Sequence, residues 1–209
     1  MKTKKSPLSI RVIYWFTSII LGLMTIIFFA SIIFNAMLYT DFFGNDMQLH
    51  IQLPVKVDFL EIGNLHVNDQ DIKVALVDAT TQIHFINTPK FITKKGGIAI
   101  MIIILFGWYL TWTFREFIKN VKNNKTFTLD NIALLKRISY TLLGLWLATV
   151  IYMRLAYYYI AKRLEFDSLL ITDEIPNYSG ILFVALFIWV LAHIFSTGLK
   201  LQQEKDLTI

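Results

Sequence analysis

Residues 10–38 read IRVIYWFTSIILGLMTIIFFASIIFNAML, and Arg11 is the one charged residue among them. An α-helix needs about 20 mainly apolar residues to cross the roughly 30 Å hydrocarbon core of a bilayer. Three further apolar runs of about 18 residues or more occupy residues 97–114, 138–159 and 180–201. The chain is therefore predicted to form four transmembrane helices.

The overall composition also favours lipid as the solvent. Of the 209 residues, 56% are hydrophobic and 17% are charged, unlike a typical soluble domain. The chain has no cysteine, which excludes disulfides, thiolate nucleophiles and Cys-based metal sites. We attribute the net charge of +5 to lysine and arginine on the cytoplasmic side of a membrane, and we predict no direct nucleic-acid binding.

The charges between the apolar runs are sorted by sign. The N-terminal residues through Arg11, the connection 115–137 and the tail from Lys200 together carry twelve cations and four anions, whereas residues 40–95 and 162–179 carry seven cations and eleven anions. The positive-inside rule then places both termini in the cytoplasm. Because the first run is nearly twice as long as the apolar region of a signal peptide, we expect it to remain as an anchor.

These features predict an α-helical integral membrane protein with four transmembrane helices and a small extracytoplasmic β-sheet inserted between the first two. The predicted division begins with a cytoplasmic N-terminus and the first helix (1–39), an outer β-rich domain (40–95), the second helix (96–118) and a cytoplasmic connection (119–137). It continues with the third helix (138–161), an outer loop (162–179), the fourth helix (180–201) and a cytoplasmic tail (202–209).

The outer domain shows the alternation of apolar and polar residues that is typical of half-buried strands. The alternation runs through residues 49–59, 72–76 and 83–85. Pro54 cannot donate a hydrogen bond to a neighbouring strand, which favours an edge strand or a break there. We expect three to five antiparallel strands, separated by turns at Gly63-Asn64, Asn68-Asp69 and Asn87-Thr88-Pro89.

The cytoplasmic connection is predicted to contain two helix ends and a break. The apolar pattern of the second helix continues through Phe117 and Val121. Residues 123–125 (Asn-Asn-Lys) indicate the break, Thr128 is a candidate N-cap, and Asp130 suits the positive end of a helix dipole. The basic charge and the exposed apolar residues leave two interpretations open, an interfacial segment on anionic lipid or a docking site for a protein partner.

Ionisable residues within the predicted spans are the first candidates for chemistry. His193 has no second intramembrane histidine with which to ligate a haem, so we expect a packing role. Arg154 is expected to reach the outer interface or to pair with Glu165 or Asp167. The other three histidines lack the tight spacing of a zinc site: His50, His66 and His84. With no phosphate-binding loop either, we predict no enzymatic activity, cofactor or metal.

Two stretches carry a family resemblance. They are NKTFTLDN at residues 124–131, followed by LLKRI at 134–138, and FSTGLKLQQEKDLTI at 195–209. Together they resemble a family of bacterial four-helix membrane proteins catalogued as domain of unknown function 2975, in which the Lys125-Thr126 position more often holds Gly and Pro. The resemblance implies a bacterial inner membrane. Because genes of this family often lie beside a small Cro/CI-type helix-turn-helix regulator, it also implies binding of that regulator.

Both motifs fall on the predicted cytoplasmic side, where their residues are expected to form one partner-binding surface. An alternative role is to lock the inner helix ends together. The first functional hypothesis is a non-enzymatic regulatory or sensor protein that binds the regulator; the second is a small oligomeric transporter or pore, and the third a haem or quinone enzyme that uses His193. The candidate partner-binding residues are Phe127, Asp130, Asn131, Gln202, Glu204, Asp206 and Leu207.

Overall fold

The structure, a computed structural model, describes residues 6–44, 52–67, 70–84, 89–164, 170–172, 175 and 177–207. In these residues the chain is mainly helical. The elements in chain order are α1 (Leu8–Tyr39), β1 (Gln52–Val67), β2 (Gln70–His84), α2 (Lys90–Lys122), α3 (Leu129–Tyr159), a 3₁₀ turn (Ala161–Arg163), β3 (Leu170–Ile171) and α4 (Ser179–Leu207). Within this described part, the four α-helices are long and apolar enough to cross a membrane, as the hydropathy pattern predicts.

The helices extend beyond the apolar runs from which they were predicted. α2 begins at Lys90 and continues to Lys122, and α3 begins at Leu129. The predicted connection 119–137 therefore contains a short turn, residues 123–128, between two helix ends. Hydropathy marks the apolar part of a helix, whereas the helix itself ends where capping residues and neighbouring contacts end it.

The chain forms two compact units. The first contains α1, α4 and most of α2 and α3, in segments Met1–Phe42, Gly97–Thr149 and Tyr178–Ile209. One cluster of its core joins Ile138 and Leu142 of α3 to Ala185 of α4. The hydroxyl of Ser139 donates to the carbonyl oxygen of Ala185 at 2.8 Å, so a polar contact accompanies this apolar packing.

The second unit contains the sheet and the adjoining helix ends, in segments Phe43–Gly96 and Val150–Asn177. Its strand order is β2-β1-β3. β1 and β2 pair antiparallel along their whole length, with one shift of register between Asp58 and Glu61. β3 adds a short antiparallel pairing in which Ile171 lies opposite Val57.

Three details of the predicted sheet are wrong. Gly63-Asn64 is not a turn but lies inside β1, where Gly63 pairs with Val74, because the ladder on both sides continues through the glycine. The alternation at 72–76 and residues 83–84 of the next one belong to the single strand β2. The third strand comes from the predicted outer loop 162–179 and not from the insertion between the first two helices.

The alternation within β1 is confirmed where the side chains are described. Val55 and Val57 are buried against Met153 and Ala156 of α3, and Asp58 is exposed. Pro54 causes no break, since it pairs with Gln82 within the β1–β2 ladder. The predicted turn at residues 68–69, most of the turn at 87–89, and the apolar positions 49, 51 and 85 lie outside the described residues.

Candidate functional site at the turn between α2 and α3

α2 ends in a Schellman motif, in which a residue with positive φ follows the last helical turn. The N–H of Lys125 donates to the carbonyl of Asn120 at 2.9 Å, and the N–H of Asn124 donates to the carbonyl of Val121 at 3.0 Å. Asn124 has a φ of 59°, in the left-handed region that asparagine adopts more readily than most residues. The predicted break at residues 123–125 is therefore confirmed.

Asn131 holds this turn from the inside. Its side chain is fully buried, and Nδ2 donates to the carbonyl oxygens of Lys125 at 2.6 Å and Thr126 at 3.0 Å. Its Oδ1 accepts a hydrogen bond from Nδ2 of Asn120 at 2.9 Å, which links the start of α3 to the end of α2. A buried amide with all of these partners fixes the conformation of the turn.

The start of α3 is capped as the sequence predicts. The hydroxyl oxygen of Thr128 accepts a hydrogen bond from the backbone N–H of Asn131 at 3.3 Å, which confirms Thr128 as the N-cap. The carbonyl of Thr128 accepts from the N–H of Ile132 at 3.1 Å and so begins the helical ladder. The turn is thus fixed at both of its ends by local hydrogen bonds.

An aromatic contact joins the turn to α4. The ring of Phe127 lies 5.1 Å, centroid to centroid, from Phe195 of α4, and Phe117 of α2 lies 6.5 Å from the same ring. A Cβ atom placed on Gly198 would lie 3.6 Å from the Phe127 ring, so α4 approaches the turn closely at this glycine. The two sequence motifs, one at the turn and one at the end of α4, therefore meet in the structure.

The seven candidate partner-binding residues differ in exposure. Asn131 is buried and its amide is bonded within the chain, so it positions the turn and does not lie on the surface. Asp206 and Leu207 lie on the last turn of α4, and their side chains are outside the described part. The exposed candidates are Phe127 (49%), Asp130, Gln202 and Glu204.

Two leucines that lie next to these candidates in the sequence are also exposed, and sequence reasoning did not select them. Leu129, the first residue of α3, is 72% exposed, and Leu201 on α4 is 61% exposed. We name Phe127, Leu129, Asp130, Leu201, Gln202 and Glu204 the turn surface. Both leucines lie inside the quoted motifs, at residues 124–131 and 195–209, which is the signal that could have identified them.

A network around Arg115 joins the end of α2 to the start of α1. The Arg115 guanidinium donates to the Tyr14 hydroxyl at 2.8 Å, the Ser18 hydroxyl at 2.9 Å and Glu116 Oε1 at 3.0 Å. Lys119 forms a second salt bridge with Glu116 at 3.1 Å, and the Lys122 ammonium lies 4.3 Å from the centre of the Tyr14 ring. Sequence reasoning counted these cations for topology and missed their contacts with α1.

A cleft of about 290 Å³ lies between α2 and α3 beside this network. One wall is formed by α2 residues at a spacing of four, and the other by α3 residues at positions i, i+3, i+4 and i+7, so each wall is one face of a helix. We name it the α2–α3 cleft; its lining residues are Trp112, Glu116, Asn120, Asp130, Ala133, Leu134 and Arg137.

Polar residues within the long helices have different environments. His193 and Arg154 are exposed on the protein surface. Glu165 and Asp167, the expected partners of Arg154, lie outside the described residues. Asn35, which sequence reasoning did not single out, is 8% exposed, and its Nδ2 donates to the carbonyl oxygen of Ser31 at 2.8 Å.

The described residues contain no group of three His, Cys, Asp or Glu side chains that could hold a metal ion. His50 lies outside them, and the side chains of His66 and His84 are not described although both residues lie in strands. The absence of a zinc site in the outer domain therefore stays a prediction.

The fold and the turn define a mainly helical protein with four helices of membrane-spanning length and a small sheet. Within this class, the chain belongs to the family described as "Protein of unknown function (DUF2975)", which matches residues 69–209. The matched range includes β2, α2, α3 and α4, and thus both motifs on which the resemblance rests. No curated protein and no solved structure matches the chain.

Proposed function

We propose that the chain is a non-enzymatic regulatory or sensor protein of a bacterial inner membrane, and that its turn surface binds a small helix-turn-helix regulator in the cytoplasm. Membrane insertion is supported by the exposed apolar residues of the helices. In their most apolar windows, the buried share is 6% for α1, 6% for α2, 28% for α3 and 11% for α4. Such surfaces are stable in lipid and unfavourable in water.

The observation that carries the docking proposal is the fixed turn. Asn131 bonds the turn to the end of α2, and Phe127 packs it against Phe195 of α4. The exposed residues Leu129 and Asp130 are therefore presented on a rigid frame, which lowers the conformational entropy lost when a partner binds.

The charge of this surface supports the choice of partner. Its own charged residues, Asp130 and Glu204, are both anions, within segments whose combined net charge is positive. A helix-turn-helix regulator carries a basic face for the DNA backbone. Acidic side chains beside exposed leucines complement such a face, and a regulator held there could not bind DNA with the same residues.

Co-purification in detergent with the regulator encoded beside the gene tests this proposal. We expect the full chain to retain the regulator. Deletion of residues 202–209 and the double variant Asp130→Asn/Glu204→Gln should each reduce retention by about tenfold, because each removes one or two charge-assisted contacts. Lys136→Gln is a matched control, since Lys136 is exposed on α3 but lies outside the turn surface. No retention by the full chain, or equal retention by all variants, would contradict the proposal.

A second candidate, a small oligomeric transporter or pore, is supported by His193. This ionisable residue is exposed on α4, and an ionisable side chain facing hydrocarbon is unfavourable unless a partner covers it. A second copy of the chain would provide such cover. Cross-linking in liposomes together with ion flux tests this candidate: a monomer without flux eliminates it, whereas flux that His193→Leu abolishes supports it.

A further inference from the structure

We propose that the α2–α3 cleft binds the headgroup of a phospholipid that carries a primary amine, phosphatidylethanolamine. This inference uses the membrane insertion proposed above, but it does not depend on any protein partner. It rests on the order in which aromatic, cationic and anionic side chains follow one another along the cleft.

The aromatic and cationic groups lie at the membrane end of the cleft. Trp112 lies within the apolar run of α2 and is 40% exposed, and Arg137 immediately precedes the apolar run of α3. Tryptophan prefers the level of the lipid glycerol and headgroups, and a guanidinium pairs with phosphate through two parallel hydrogen bonds. Arg137 is exposed, and no ion pair engages it among the described residues.

The anionic and acceptor groups lie at the end near the turn. Asp130 precedes Arg137 by seven residues on the same face of α3, which is about 10 Å along a helix axis. Asn120 lies on the opposite wall of the cleft. Its side-chain Nδ2 donates to Asn131, which leaves its side-chain oxygen, Oδ1, as an acceptor. This end offers a carboxylate and an amide oxygen to a donor-rich cation.

Glu116 contributes little free charge to the cleft. Its carboxylate already pairs with Arg115 at 3.0 Å and with Lys119 at 3.1 Å. Among the residues that line the cleft, the charges without an ion-pair partner in the described part of the chain are one anion, Asp130, and one cation, Arg137. Their sum of zero matches a zwitterion better than it matches an anionic lipid.

The order of these groups is the order of the atoms in the lipid. Outward from the acyl chains, phosphatidylethanolamine presents glycerol, then phosphate, then the ammonium group. The cleft presents Trp112 and Arg137 first, and Asn120 and Asp130 farther out. A cleft of about 290 Å³ is also near the lower end of the roughly 300–1,000 Å³ that small-molecule pockets occupy.

The chemistry also discriminates among lipids. A primary ammonium donates three hydrogen bonds, as a lysine side chain does, whereas the trimethylammonium of phosphatidylcholine donates none. Phosphatidylglycerol has no cation to meet Asp130, and phosphatidylserine adds a carboxylate that Asp130 repels. The cleft therefore favours the ethanolamine headgroup over all three.

Native mass spectrometry of the delipidated full-length protein, titrated with each lipid in detergent, tests the assignment. We expect one phosphatidylethanolamine to bind about tenfold more tightly than phosphatidylcholine or phosphatidylglycerol. Asp130→Asn should abolish the preference over phosphatidylcholine, Arg137→Gln should weaken binding of all three phospholipids, and Arg137→Lys should retain most of it. Lys136→Gln is the matched control and should change nothing, because Lys136 does not line the cleft.

Three results would overturn the proposal. The first is equal binding of the three lipids to the unsubstituted protein, and the second is an equal loss of binding in Lys136→Gln and Arg137→Gln. The third is displacement of the lipid by free phosphoethanolamine at an equal concentration, because that result would assign the cleft to a soluble ligand. Deletion of residues 202–209 should leave lipid binding unchanged, so failure of the regulator proposal is distinguishable from failure of this one.

Discussion

Asn131 and Asn35 are two buried asparagines whose side-chain amides differ in how completely they are bonded. The amide of Asn131 has partners for both its nitrogen and its oxygen. Asn35 donates to Ser31 and, at 3.3 Å, to Gly97, but its Oδ1 is buried without a hydrogen-bond partner among the described residues. The first arrangement stabilises a turn, whereas the second leaves a buried acceptor unpaired.

Asn131→Ala should lower the free energy of unfolding by about 2 kcal/mol, because it removes the buried amide that bonds the carbonyls of Lys125 and Thr126 and the side chain of Asn120. Thermal unfolding in detergent measures this effect. Asn123→Ala is the matched control, since Asn123 is an exposed asparagine of the same turn. Equal melting temperatures for the two variants would show that the Asn131 bonds do not hold the turn.

Gly97→Ala should also destabilise the protein. A Cβ at this position would lie 2.6 Å from Oδ1 of Asn35 and 3.3 Å from a methyl of Leu38, and such overpacking costs about 1–3 kcal/mol. Gly22→Ala is the control, because a Cβ there meets nothing within 4 Å and alanine favours a helix by up to about 1 kcal/mol. Opposite shifts of the melting temperature are expected; a stabilised Gly97→Ala variant would contradict the contact.

At the scale of the elements, the helix ends were predictable and the sheet was only partly so. The end of α2 is marked by an asparagine with positive φ within residues 123–125, and the start of α3 by the capping hydroxyl of Thr128. Both signals act within a few residues of the chain, so a local pattern reveals them. β3 has two residues and no periodicity of its own, since it exists only by pairing with β1. Gly63 resembles a turn residue locally, but the long pairing on both sides keeps it in the strand.

Substitutions at Asn124 test the end of α2. Both Asn124→Gly and Asn124→Val remove the asparagine side chain, but only glycine adopts a φ of 59° without strain, so the valine variant should be less stable than the glycine variant by about 1–2 kcal/mol. Melting temperatures of the two variants in one detergent give the comparison. A valine variant as stable as the glycine variant would mean that the turn does not require the left-handed conformation.

The sequence predicted that the two motifs lie together, but not the contacts between them. The two motifs do meet, through Phe127 and Phe195. Asn131 was grouped with the partner-binding residues because it lies in the first motif. Its burial depends on a hydrogen bond with Asn120 that no local pattern shows. The α2–α3 cleft was missed for the same reason, since its two walls are separated by the turn in the sequence.

At the scale of the whole molecule, both proposed binding activities require the four helices to span a bilayer. Their apolar side chains are largely exposed, and the cations cluster in the segments around the turn and the two termini. Under the proposed orientation, which follows the positive-inside rule, the turn surface and the α2–α3 cleft would face the cytoplasm. Regulator docking at the turn requires this orientation, and lipid binding in the cleft requires insertion.

The most direct test of insertion and orientation uses the absence of cysteine from the chain, since any introduced thiol is unique. Thr80→Cys in β2 and Asn123→Cys in the turn both replace exposed residues. A membrane-impermeant maleimide is then applied to cells in which the outer envelope is permeabilised and the inner membrane is intact. We expect the first thiol to react at once and the second to react only after the inner membrane is permeabilised. Reaction of both thiols in intact inner membranes, or the reverse order, would contradict the account.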